Sequence, residues 1–245
     1  MQIGKRGEPV TRIGRASPDR IEVRGRDLAG DLMGRLSFTE YFHLLLTGRE
    51  PSDDERFFLD LLLVSIAEHG LMPSNVAARM TLAADPGSLQ GAVAAGILGA
   101  ADECARLLAA MHAEGSDPTQ VAREIHAAGG KVPGFGHPLH RPVDPRAERI
   151  LELADARGVS GPHVALARAL QNAVAETWSK PLTLNVSLPI AAVMLDLGYS
   201  PAVVKAVPIL ARTASLLAHL AEEQEQPIGF LLAAKAEEAV EYRDD

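Results

Sequence analysis

From Ser37 onward the chain is a succession of apolar stripes at helical spacing. Most are opened by a capping residue or a proline and closed by glycine or proline. That punctuation constrains the fold more than any other feature, because proline fits the first turn of a helix and glycine ends one. Ser37 and Glu40 stand three residues apart, as the two halves of a capping box do, and Tyr41, Leu44 and Leu45 form one apolar face before Gly48. Pro51-Ser52-Asp53-Asp54-Glu55 opens a second helix running to about His69. Pro73-Ser74-Asn75 opens a third, which Asp85-Pro86-Gly87 breaks. A long Ala/Leu-rich region follows from Ser88 to about Glu114, then a short helix over 118–128 that stops at Gly129-Gly130. Pro145 starts a helix to Ala156 and Gly161-Pro162 one to Trp178, with further helices expected near 189–197, 207–223 and 228–241. Ahead of Ser37 only Arg20-Ile21-Glu22-Val23-Arg24 reads as a strand, within a small hairpin.

Composition agrees with an all-α reading. Hydrophobic residues are 47% of the 245, yet aromatics are only 4%, so alanine and leucine carry the apolar content. Strands favour β-branched and aromatic residues instead. No apolar run is expected to reach membrane-spanning length, and the N-terminus lacks the apolar core of a secretory signal. The expected compartment is the cytoplasm. The single cysteine, Cys104, excludes an internal disulfide and a multi-cysteine metal site; it reads as a packed core residue, and no metal is expected. A net charge of −8 argues against general nucleic-acid binding but not against a small anion, which feels local charge.

The segment with most chemical content is Lys131-Val-Pro-Gly-Phe-Gly-His-Pro-Leu-His-Arg-Pro-Val-Asp-Pro-Arg146. Gly134 and Gly136 flank Phe135 and permit close approach of a ligand to the main chain. They deliver His137, a group able to exchange a proton near neutral pH. Arg146, nine residues later, can clamp a carboxylate through two parallel hydrogen bonds. Arg212 is informative in another way. It lies in a helix apolar on nearly every face, with Ser215 and His219 on its own side, and a buried guanidinium without a partner is costly. Either an internal acid pairs with it, or an anionic ligand does. His219 reads as structural. His69 ends a mainly apolar helix just before Gly70, a place that suits any histidine at a helix C-terminus.

The Gly-Phe-Gly-His137 and Asp144-Pro145-Arg146 pieces, at this separation, resemble the signature of citrate synthases and their citryl-CoA-cleaving relatives. Further segments resemble the same family: Leu46-Thr47-Gly48-Arg49-Glu50-Pro51, Glu68-His69-Gly70-Leu71 with Ala77-Ala78-Arg79, Leu184-Asn185-Val186, and Ala211-Arg212-Thr213. The likeness implies an all-α, citrate synthase-like fold. A large helical domain (1–110 and 195–245) and a smaller, CoA-side one (111–194) would have the site between them. In length the chain is similar to the compact citryl-CoA lyases. It also implies that His69, His137, Arg146 and Arg212 converge on a small carboxylate, with His137, His69 and Ser187 at the catalytic positions. Coenzyme A, as an acyl-CoA substrate, would lie near Lys131, Gly134, Phe135, Gly136, His140 and Arg141. A homodimer is implied, with neither nucleic acid nor membrane as partner.

Two positions depart from the family pattern. Where it places a catalytic aspartate after Asn-Val, this chain has Ser187, whose hydroxyl cannot act as a general base near neutral pH but can hold a water or donate a hydrogen bond. The segment Gly96–Glu103 lacks the family's histidine and reads as a shortened loop. Two functions follow as expectations. One is a CoA-dependent carbon–carbon lyase or condensing enzyme, acting on citryl-CoA or a similar 3-hydroxy-3-carboxyacyl-CoA to give acetyl-CoA and a 2-oxo acid such as oxaloacetate. The other is a catalytically impaired relative that binds a carboxylate or acyl-CoA as a sensor or partner subunit.

Overall fold

A computed structural model describes residues 10–98 and 103–243. The chain divides into two compact units, the first ending at Asp60 and the second beginning at Leu61. In the first, three short antiparallel strands, β1 (Gly14–Ala16), β2 (Ile21–Val23) and β3 (Arg26–Asp27), stand side by side in chain order. Val23 pairs with Arg26 across a two-residue turn in which Arg24 and Gly25 both have positive φ (52° and 79°). A two-residue loop of that hand matches strand twist. A π-helical turn, Leu28–Leu32, leads to α1 (Phe38–Thr47). The capping box is present: the Glu40 N–H donates to Ser37 Oγ (3.3 Å) and the Ser37 N–H to Glu40 Oε2 (2.7 Å). Val23, Leu32 and Leu44 form the core beneath the sheet.

The unit boundary passes through α2 (Asp53–Ala67). Among the described residues ten helices follow: α3 (Pro73–Ala84), α4 (Leu89–Leu98), α5 (Cys104–Glu114), α6 (Pro118–Ala127), α7 (Pro145–Ala156), α8 (Pro162–Thr177), α9 (Ser187–Asp196), α10 (Pro201–Val204), α11 (Ala206–Glu225) and α12 (Gly229–Glu238). The fold is all-α apart from the small sheet. The Ala/Leu-rich region expected as one stretch over 88–114 is two helices, α4 and α5. Four of the residues in the supposed shortened loop, 99–102, lie outside the described residues. The short α10 was not foreseen; its four residues are too few to show a period.

In the second unit α9 is the centre, packed by α5, α7, α8 and α10, with every side chain from Leu188 to Leu195 buried. An all-round apolar helix is stable only when enclosed in this way. Its last residue, Asp196, caps α8 from across the fold, accepting the N–H groups of Gly161 (2.8 Å), His163 (2.9 Å) and Val164 (2.9 Å). Gly161, the residue before α8, brings no side chain to do so itself. Cys104 is buried in α5. A second core joins α3, α4 and α11 through Ala78, Leu82, Ala92, Leu216 and Leu220. The expectation that no apolar run reaches membrane-spanning length does not hold. The run Pro201–Glu225 is long and apolar enough, by length and composition, to cross a membrane. Its packing against α3 and α4 identifies it as a core helix of this unit, a role that demands the same apolar length.

Candidate active site

The glycine loop is clipped to the segment before α9. Phe135 bridges Leu184 in antiparallel fashion; the Gly136 N–H donates to the Thr183 carbonyl (2.8 Å) and the Asn185 N–H to the Gly134 carbonyl (2.9 Å). Side chains reinforce the clip: Asn185 Nδ2 donates to the Gly136 carbonyl (3.1 Å) and Thr183 Oγ1 to that of His140 (3.0 Å). Gly134 is required twice over. Its φ is 87°, and an added Cβ would lie 2.6 Å from Leu188 Cβ.

The clip presents His137, and the loop beyond it fixes the tautomer. The backbone N–H groups of Leu139 (3.1 Å) and His140 (2.9 Å) both donate to His137 Nδ1. The neutral ring therefore carries its proton on Nε2, and what it offers outward is a donor. Burial, the neighbouring His140 and Arg146 together lower the proton affinity of the ring, Asp144 opposing them. His140 stacks on it at 4.4 Å between centroids. The proton-exchanging histidine expected from the sequence is thus, at neutral pH, a fixed hydrogen-bond donor.

Asp144 is the hub of the next layer. Fully buried, it caps α7 by accepting the Arg146 N–H (3.1 Å) and grips the Arg146 side chain through Nε (3.0 Å) and Nη2 (2.8 Å). Its Oδ2 also accepts the Val186 N–H (3.1 Å), which sets the start of α9 and Ser187 against the same carboxylate. Burial works against ionisation, but Arg146 and the two N–H groups outweigh it and hold the carboxyl below the usual range. Arg146 Nη2 faces His137 Nε2 at 3.4 Å. Two donors turned toward each other call for an acceptor beside them.

A second pair comes from elsewhere in the unit. Arg212, 8% exposed, donates to the Ala67 carbonyl (3.1 Å) and lies against both ring nitrogens of His69, the Nη1–Nδ1 distance being 3.2 Å. Among the described residues no carboxylate forms an ion pair with it. Glu68 is taken up by Ser215 and His219 and acts on Arg212 only through space. Burial, then Arg212 and Arg146, push His69 down to about 4, so its imidazole is neutral. Of the alternatives left open for Arg212, pairing with an internal acid is not what the fold does.

The four substrate-binding candidates therefore fall into two touching pairs, His137–Arg146 and His69–Arg212. Arg146 is close enough to depress the protonation of both histidines. Ser187 is the first residue of α9, its N–H donating to Asn185 Oδ1 (3.1 Å). Beside the loop, Gly136, His137, Arg141 and Pro142 line a cleft of about 460 Å³ with Lys180, Pro181, Leu182 and Thr183. Lys131 is exposed, and neither it nor His140 is in that lining; Gly134 and Phe135 serve the clip instead. Asp144 and Lys180 were not among the candidates. The Asp-Pro-Arg spacing carries the signal for the first, since a residue before a proline is a natural helix cap. The second is brought in by the Phe135–Leu184 pairing, which no local pattern shows.

With this geometry in view, comparison with known proteins is specific. The family model "Citrate synthase, C-terminal domain" matches residues 14–229. A "Putative citrate synthase 2" of Mycobacterium tuberculosis is 30% identical over 193 residues, covering 71% of this chain and 49% of that protein. The chain thus spans about half the length of the curated relatives it matches. Among solved structures, citryl-CoA lyase from Hydrogenobacter thermophilus superposes with a TM-score of 0.85 at 28% identity, over 98% of this chain and 96% of that one. ATP citrate lyase from Methanothrix soehngenii, solved with citrate and coenzyme A, gives a TM-score of 0.77 over 99% of this chain and 43% of its own. At 19% identity it speaks for the fold alone.

Proposed function

This chain belongs to the citrate synthase family, and on that premise we propose that it is a CoA-dependent carbon–carbon lyase or condensing enzyme. Its substrate is citryl-CoA or a similar 3-hydroxy-3-carboxyacyl-CoA, its products acetyl-CoA and a 2-oxo acid such as oxaloacetate. The observation that carries the reading is Arg212: a buried guanidinium with no carboxylate partner among the described residues, flanked by a neutral histidine. Such a group suits an anionic ligand that arrives from outside. The likeness over nearly the whole length of both chains to a citryl-CoA lyase supports the choice of substrate class.

In the cleavage direction the C3 hydroxyl loses its proton and the bond from C3 to the carbon beside the thioester breaks. Its electron pair enters the thioester as an enolate, which takes a proton at carbon to become acetyl-CoA. Arg146 and the Nε2–H of His137 hold the oxygens at C3. Arg212 takes a substrate carboxylate with the His69 ring held beside it. The ring nitrogen of neutral His69 that carries no proton accepts the hydroxyl proton. Water held at Ser187 passes a proton to the enolate carbon and takes its replacement from the His69 imidazolium, so the proton lost by the hydroxyl ends on acetyl-CoA and His69 returns to its neutral form. The CoA portion lies along the cleft by Gly136, its phosphates near Arg141, Lys180 and Lys131. The division into 1–110 with 195–245 and 111–194, and a homodimeric assembly, belong to the same proposal.

Purified protein incubated with citryl-CoA is expected to release acetyl-CoA, and His137→Ala to reduce the rate by two orders of magnitude or more. Turnover unchanged in His137→Ala would remove the mechanism. A second reading rests on Ser187, which leaves the start of α9 without the family's carboxylate. In that reading the chain binds a carboxylate or acyl-CoA as a sensor or partner subunit, and calorimetry shows tight binding with no acetyl-CoA released.

A further inference from the structure

Behind His69 runs a chain of polar groups that the sequence does not announce, from buried Arg79 through partly buried His219 to the half-exposed side chain of Glu68. Arg79, on α3, is 1% exposed and donates through Nη1 to Glu223 Oε2 (2.8 Å) and through Nη2 to Glu222, both on α11. It also turns Nε (3.2 Å) and Nη2 (3.0 Å) onto His219 Nδ1. A guanidinium has no lone pair to give, so His219 Nδ1 accepts and the ring proton stands on Nε2. Nε2 in turn faces Glu68 Oε2 at 3.0 Å, where the Ser215 hydroxyl also donates. The other oxygen of Glu68 accepts the backbone N–H groups of His69 (2.9 Å) and Gly70. Every donor and acceptor from Arg79 to the His69 peptide is matched in one direction. Gly70, with φ 84°, turns the chain immediately after the residue so held.

We infer that Glu68, fixed by Arg79 through His219, is a positioning residue that aims the His69 imidazole at Arg212 and so sets the affinity of this site for a carboxylate. The inference rests on the proposed reading of the site. Its physical basis is that helix α2 has already ended at Ala67, so nothing in the helix itself orients His69. Glu68 replaces the missing helical constraint with hydrogen bonds to two successive peptide N–H groups. The relay then ties that half-exposed carboxylate to α3 and α11. Without it the His69–Gly70 turn is free to reorient and Arg212 loses the ring that flanks it.

The test compares His219→Leu with His219→Gln. A glutamine side chain can accept from Arg79 through its oxygen and donate to Glu68 through its nitrogen, so it reproduces the relay; leucine cannot. Oxaloacetate binding is measured by calorimetry, and the histidine ring resonances of ¹⁵N-labelled protein are followed, His69 being identified by its loss in His69→Gln. The expected result is about a tenfold weaker oxaloacetate affinity and a displaced His69 ring signal in His219→Leu, with His219→Gln within twofold of wild type. Glu68→Ala is expected to reproduce the leucine variant, and circular dichroism confirms that each variant is folded. Should His219→Leu and Glu68→Ala bind oxaloacetate like the wild type with the His69 signal unmoved, the positioning role is overturned. If the wild type itself binds no oxaloacetate, the functional reading fails, and the His69 signal still decides whether the relay aims the ring.

Discussion

Replacing Asp144 by asparagine tests how the site is held together. The carboxylate caps α7, neutralises Arg146 and receives the Val186 N–H, and it is wholly buried. Asparagine caps a helix about as well as aspartate, so that contribution survives. What is lost is the negative charge. The amide nitrogen also takes the place of Oδ2, facing Arg146 Nη2 and the Val186 N–H with donors. Breaking a buried ion pair by removing one partner costs about 3–5 kcal/mol. The Arg146 side chain retains 20% exposure, which favours the lower end, about 3 kcal/mol. Asp144→Ala also forfeits the cap, worth about 1 kcal/mol, for a total of about 4 kcal/mol. Urea denaturation followed by the single tryptophan, Trp178, which packs edge-on against His126, reports both. Because the carboxyl is held below its ordinary range, its stabilisation is present above the unfolded value and lost as pH falls through the folded one. The wild type and Asp144→Asn are thus expected to converge in acid. A loss below about 1 kcal/mol at neutral pH, the worth of a surface ion pair, would refute the reasoning.

Other perturbations separate stability from binding. Arg212→Met removes a buried charge that has no acid partner among the described residues. It is expected to raise the melting temperature by a few degrees, corresponding to about 1 kcal/mol, while abolishing oxaloacetate binding in calorimetry. His69 sits at about 4 against an ordinary imidazole value near 6.5. The unfolded chain therefore takes up a proton that the fold refuses, and stability declines as pH falls from about 6.5 to about 4. The gap corresponds to about 3 kcal/mol, reduced to about 2 kcal/mol because the ring is partly solvated, and His69→Gln should flatten that limb of a pH-dependent melting curve. Gly134→Ala forces a side chain into a left-handed conformation against Leu188; a loss of about 2–3 kcal/mol in urea is expected, with weaker ligand binding as His137 is displaced.

Much of the helical scaffold is legible in the residues because its signals are local. Pro145 and Ala156 bound α7 as the spacing predicts, and Ser37 with Glu40 forms the capping box. His137 stands against Arg146 and His69 against Arg212 in the fold. The roles within the site were harder to read, for a physical reason. Which acid answers Arg212 depends on how α11 lies against the end of α2, and Glu68 turns to Ser215 and His219 instead. The tautomer of His137 depends on two peptide N–H groups whose direction is set by the loop, not by residue type. Lys180 joins the cleft only because Phe135 pairs with Leu184, nearly fifty positions later in the chain. Apolar length alone likewise could not separate a core helix at 201–225 from a membrane span.

The clip between the glycine loop and residues 183–185 bears on how such a protein can change over generations. Its hydrogen bonds come from main-chain groups and from Asn185 and Thr183, while α9 begins without any side-chain cap from position 187. The side chain at position 187 therefore takes no part in capping α9. Under the proposed function, an acid exchanged for a hydroxyl there leaves Arg146 and Arg212 where they are. Chemistry and recognition would then be separable by a single codon.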